Sequence, residues 1–218
     1  MNTESAIREF ISFTEDLKLN ENIEVSFLKI NKGYTKEHLA DLETGLEIEY
    51  SKYMKDLFLQ IGEVSLMWVI NKPKFLNAIP EEDINFLTGS VQILNPFDMI
   101  MGYTGTRWKD VLWFEDMDPI KKQNNKDFIP FDYPSSELLS GFKKENNKLS
   151  NEMYLFDDDE LEITPFHFEL EQYLIYLVKT KGYFYWQEFI KDKSSTEYKR
   201  FMKYMPQLFK DFDSVFFE

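Results

Sequence analysis

Cysteine is absent from the 218 residues, which excludes disulfides, thiolate metal sites and a cysteine nucleophile. Histidine is scarce: His38 and His167 lie far apart, and neither has a second histidine at metal-ligand spacing. A His-Glu-x-x-His zinc pair is therefore excluded. Arginine occurs at Arg8, Arg107 and Arg200 only, leaving few candidates for bidentate phosphate recognition. Basic charge is in the minority, 25 Lys and Arg against 39 Asp and Glu, for a net charge of −14. Such a chain repels a phosphate backbone and lacks the basic footprint of nucleic-acid binders, so no direct nucleic-acid partner is expected. The aliphatic and aromatic run Leu66 to Ile70 falls far short of the ~20 residues of a membrane span. No membrane partner is expected. The polar, acidic start Met1-Asn2-Thr3-Glu4 lacks the basic and apolar regions of a signal peptide, and the expected location is cytoplasmic. Gly-x-Ser-x-Gly and Gly-x-Gly-x-x-Gly fingerprints are also missing.

What the chain does have is aromatic core material, 17% of its residues including 21 Phe. Ala6, Ile7, Phe10, Ile11, Thr14 and Leu17 share one helical face, predicting a helix from about Ser5 to Leu19. Ile23 to Phe27 alternates as a strand, and Asn31-Lys32-Gly33 reads as a turn. Thr35 is placed to cap a helix bearing Leu39, Leu42 and Leu46. Tyr50, Met54, Leu57, Phe58 and Ile61 predict the next helix, with Gly62 as its left-handed stop. Val64 to Ile70 reads as a buried strand, residues 71 to 88 as a loop, and Ser90 to Leu94 as a strand. Asn95-Pro96 opens a short helix. Further strands are expected at Asp110 to Glu115, Phe128 to Phe131, Leu138 to Lys143 and Met153 to Phe156, with Asn146-Asn147 as a turn. Thr164-Pro165 predicts a helix running to Lys181-Gly182, followed by helices over Phe184 to Lys191 and Thr196 to Phe212. The fold class expected is α+β in one domain, 1–218: a single, mostly antiparallel sheet flanked by helices, with a helical C-terminal extension.

Four pieces, in order, resemble the SUKH superfamily, the Smi/Knr-type proteins. They are Leu39 to Ile48, Tyr50 to Trp68, Gly89 to Leu94, and Phe128-Ile129-Pro130-Phe131-Asp132. Pro165 to Lys181 is similar to the family's final amphipathic helix. The resemblance covers about residues 20–190, with 184–218 as an extension. The chain departs from it at Ile48-Glu49, where the family carries Leu-Pro, and at Tyr133-Pro134-Ser135-Ser136, where the family has a Gly-rich hairpin. The resemblance implies a non-catalytic protein-binding module, such as a bacterial immunity protein that neutralises a cognate toxin by binding it. A regulatory or scaffold protein of the same fold is the alternative it implies.

The residues themselves offer little chemistry. Asp157-Asp158-Asp159-Glu160 is the densest anionic run, but as a calcium loop from Asp158 it would put Ile163 where glycine is needed. Glu115, Asp116 and Asp118 contain an Asp-x-Asp without a phosphate-binding loop beside it. A metal-dependent enzyme built on these acids is the least favoured reading, and no catalytic residue, metal or cofactor is assigned. Arg107 and Trp108 lie in a loop-like segment, and their residue types are those that concentrate binding energy at interfaces; for Trp108, ordinary packing of the loop is the favoured reading and an interface anchor the alternative. Arg107, Trp108, Glu115, Asp116, Asp118, Asp157, Asp158, Asp159 and Glu160 are accordingly the candidate partner-binding residues. The partner expected is a protein, such as a basic toxin domain drawn in by charge complementarity.

Overall fold

A computed structural model of the chain describes residues 3–75, 77–108, 118–135, 138–157 and 161–217. The elements run α1 (Thr3–Lys18), β1 (Ile23–Lys32), α2 (Lys36–Leu46), α3 (Lys52–Phe58), β2 (Ile61–Ile70), α4 (Lys72–Phe75), α5 (Glu81–Ile84), β3 (Thr88–Ile93) and α6 (Pro96–Met101). They continue with α7 (Pro119–Asn125), β4 (Phe128–Ser135), β5 (Leu138–Glu145), β6 (Lys148–Leu149), β7 (Glu152–Asp157), β8 (Glu162–Glu169), α8 (Leu170–Lys179), α9 (Trp186–Lys191) and α10 (Thr196–Leu208). A 3-10 turn follows at Ser214–Phe217. The strands form one eight-stranded sheet in the order β1-β2-β3-β4-β5-β7-β8, with β6 pairing β5. From β3 onward the pairings are antiparallel. The class is α+β, with a helical C-terminal part.

The chain divides into two compact units. The first comprises Met1–Lys29, Ser65–Val91 and Leu174–Glu218. Its core gathers Phe10, Phe13, Trp68, Tyr183, Trp186, Phe189, Phe201 and Phe209, all buried. The Trp68 indole donates to the Lys181 carbonyl at 2.8 Å and meets the Phe209 ring edge-on at 5.4 Å. Gly89 lies against that indole so closely that a Cβ would overlap it. Here glycine supplies the room a large side chain needs. Arg200, on α10, pairs with Asp83 of α5 at 3.0 Å, and Tyr204 donates to the same carboxylate at 2.6 Å.

The second unit comprises Ile30–Val64 and Gln92–Tyr173, with Tyr50, Phe58, Phe131, Phe142, Phe156 and Tyr173 in its core. The Thr35 side chain caps α2 by accepting from His38 N at 3.2 Å, and Ser51 caps α3 through Met54 N at 3.3 Å. Glu43 joins the two helices: its carboxylate accepts from Tyr50 N at 2.8 Å and pairs with Lys55 at 2.8 Å.

Several local expectations are corrected. The helix expected from Thr164-Pro165 is a strand, β8, and α8 starts only at Leu170. Because β8 is the last strand of the sheet, Pro165 sits where a missing N–H costs little. Phe166 and Phe168 stack at 4.9 Å on either side of His167, which is left-handed at φ 62°, where the β7–β8 register is shifted as in a β-bulge. Gly62 is not a helix stop. It lies inside β2, where a Cβ would stand 2.6 Å from the Lys32 carbonyl and 3.2 Å from the Tyr34 ring; close approach is the reason for glycine there. The turn expected at Asn31-Lys32 is still strand, since β1 runs to Lys32. The loop expected over 71 to 88 holds two short helices, α4 and α5, the latter opening on Glu81, Glu82 and Asp83, which suit a positive helix end. The strand expected at Asp110 to Glu115 lies outside the described residues.

Candidate functional site

The site with the most unusual backbone is the loop that follows α6. Asn95 opens that helix by accepting from Asp98 N at 2.9 Å, and Gly102 closes it with φ +69°. Gly105 is also left-handed, and so are two consecutive side-chain-bearing residues, Arg107 at φ 59° and Trp108 at φ 63°. Each of the latter costs about 1–2 kcal/mol relative to an ordinary conformation. Two hydrogen bonds and burial offset that cost. Arg107 N donates to Met101 O at 2.8 Å, the Trp108 indole donates to Met99 O at 2.8 Å, and the indole itself is 3% exposed.

Trp108 is thus a packing residue, the favoured of the two roles its loop position suggested. What it supports is exposed. Tyr103 is 55% exposed and sets its ring edge-on to Trp108 at 5.5 Å and to Tyr133 at 6.0 Å. Trp108 and Tyr133 are tilted against each other at 5.6 Å. Tyr133 follows the buried Asp132 on β4. Gln92 reaches the Tyr103 hydroxyl at 3.4 Å. Phe97, on α6, is a second exposed aromatic at 45%.

Two carboxylates act on this patch. Glu63 accepts from Asn31 at 2.6 Å and Asp98 from Asn95 at 2.6 Å. Burial first, then the neighbouring Tyr133, Asp98 and Glu63, push the Tyr103 phenol up to about 12. Burial, Asp98 and Glu63 likewise raise Tyr34. Both phenols therefore stay neutral hydrogen-bonding groups at ordinary pH. Arg107 is exposed. Arg8 faces Glu4 at 3.5 Å and Arg200 faces Asp83 at 3.0 Å, whereas Arg107 makes no ion pair among the described residues.

The remaining candidates from the sequence are scattered. Asp118 is the N-cap of α7, accepting from Ile120 N and Lys121 N at 2.8 and 3.0 Å. Asp157 ends β7, its backbone paired with Leu138 and Glu162. Glu115, Asp116, Asp158, Asp159 and Glu160 lie outside the described residues. Sequence reasoning missed Tyr103, Tyr133, Gln92 and Asp98 as a group, because their association needs the fold. No group of three or more His, Asp and Glu side chains among the described residues can hold a metal ion.

A concave feature lies in the first unit, a groove of about 690 Å³ lined by α1, the end of α8 and the segment Phe209 to Asp213. Two of its lysines are already engaged, Lys181 by Asp211 at 2.5 Å and Lys179 by Asp213 at 3.6 Å. No protein-family model matches the chain, and no curated protein is significantly similar to it.

Proposed function

We propose that this protein is a non-catalytic binding protein that neutralises a basic protein partner, a bacterial toxin domain, by one-to-one occlusion. The resemblance to SUKH immunity proteins in four ordered sequence pieces supports the reading, as does the net charge of −14, which accelerates encounter with a basic surface. The observation that carries it is Tyr103: a large aromatic more than half exposed, held on a buried tryptophan by a strained backbone. Trp, Tyr and Arg dominate the binding energy of interfaces, and a preformed anchor loses little conformational freedom on docking. No bond is made or broken in this mechanism.

The test is co-purification of the protein with the product of the adjacent open reading frame, followed by mass measurement of the complex. A 1:1 complex whose association rate falls with added salt is the expected result. A salt-insensitive rate removes electrostatic steering from the account, and failure to form any complex with a protein removes the function.

A further inference from the structure

Arg107 is an anomaly of charge. In a chain with 39 carboxylates and 25 basic side chains, an arginine readily finds an internal acid, as the exposed Arg8 and the largely buried Arg200 do. Arg107 has found none among the described residues, although it stands in the same loop as Tyr103. Its backbone is held at φ 59°, a conformation that favours glycine or asparagine. The chain therefore keeps a cation with no ion-pair partner among the described residues at a position where the side chain is disfavoured. Strained residues of this kind persist where the surroundings over-determine them, and they cluster at binding sites.

We propose that Arg107 is the contact cation of this surface, taking a carboxylate of the partner protein in a bidentate pair while the partner's adjoining aliphatic carbons lie on the Tyr103 ring. This inference rests on the binding function proposed above and names the group that the patch recognises. The planar guanidinium fork matches a carboxylate in a way that lysine does not. The acidic surface as a whole and this single cation do different work. Net charge sets the encounter rate with a basic partner, and the local pair sets register and dissociation. A partner that is basic overall and bears one Asp or Glu at the contact satisfies both.

Sodium propionate is the probe, since it joins a carboxylate to a short alkyl group, with sodium chloride at equal ionic strength as the reference. In NMR titrations of the full chain, propionate is expected to move the Arg107 Nε–Hε signal and the Tyr103 ring signals together. Chloride is expected to move neither. Arg107→Gln is expected to abolish the Tyr103 response. Arg107→Gly, which relieves the left-handed strain, is expected to melt no lower than the native chain while losing the response. Equal shifts with chloride, a Tyr103 response that survives Arg107→Gln, or a lower melting temperature for Arg107→Gly would each overturn the proposal. If propionate fails while the 1:1 complex still forms, only this inference falls. If no complex forms, the function proposed above falls with it.

Discussion

The hydroxyl of Tyr173 donates to the carboxylate of Asp132 at 2.7 Å, with both residues fully buried. Gln92 N supplies the other hydrogen bond, at 2.8 Å. Burial outweighs these two bonds and pushes the Asp132 carboxyl up to about 6, from an ordinary value of 3.8. Asp132 therefore holds its proton more tightly in the folded chain than in the unfolded one.

The sign of the pH effect follows. Below 3.8 the carboxyl is protonated in both states, between 3.8 and about 6 the unfolded chain releases its proton first, and above about 6 the destabilisation is complete. The loss is on the order of 3 kcal/mol by linkage. Asp132→Asn removes the titration while keeping a hydrogen-bonding side chain. In urea denaturation, the stability of Asp132→Asn relative to the native chain is expected to rise as pH increases from about 4 to about 6. A difference that stays constant over that interval would contradict the assignment.

Tyr173→Phe leaves the same carboxylate without one of its two donors. A hydrogen bond to a buried charged group is worth about 1.5–3 kcal/mol, and that loss is expected at neutral pH. At pH 4, where Asp132 is largely protonated, the loss shrinks. Equal losses at both pH values would show that the bond is not charge-assisted.

In the first unit, Gly89→Ala places a Cβ inside the Trp68 indole. The tryptophan must then leave its bond to Lys181 O or displace the strand. A loss of about 3 kcal/mol is expected, at the upper end for overpacked cores, readable as a shifted urea midpoint and altered Trp fluorescence. Arg200→Ala is expected to cost about 1.5 kcal/mol, because the Asp83 carboxylate loses its charged donor but keeps the Tyr204 hydroxyl.

Tyr103 separates binding from folding. Its ring is more than half exposed, so Tyr103→Ala is expected to lower stability by less than about 1 kcal/mol. The same change is expected to weaken the complex with the partner by about 30-fold, the scale of an aromatic hot spot. Tyr103→Phe keeps the ring contacts and is expected to retain most of the affinity. Calorimetric titration of the three forms distinguishes these outcomes.

Local signals in the sequence located most elements. The apolar face of α1, the Thr35 cap, the Asn95-Pro96 helix start and the Asn146-Asn147 turn all depend on neighbours within a few residues. The turn has both residues left-handed, as asparagine pairs tolerate. Pro165 and Gly62 misled for one reason: each was read as punctuation, and each is explained by contacts or edge position that only the assembled sheet defines. The candidate site was half legible. Arg107 and Trp108 stood out by residue type, but Tyr133 joins Tyr103 across 30 positions of sequence (133 minus 103). Asp98 reads merely as a helix-capping acid. A packing role for Trp108 is legible in its loop, but its ring partners Tyr103 and Tyr133 are defined only by the fold.

The most direct test of the central claim is hydrogen exchange on the purified complex, with Tyr103→Ala/Arg107→Gly as the control chain. The account predicts a stoichiometric protein partner that slows exchange in residues 102–108 and is released by the double substitution. A partner held equally well by both chains, with protection confined to other segments, would contradict it.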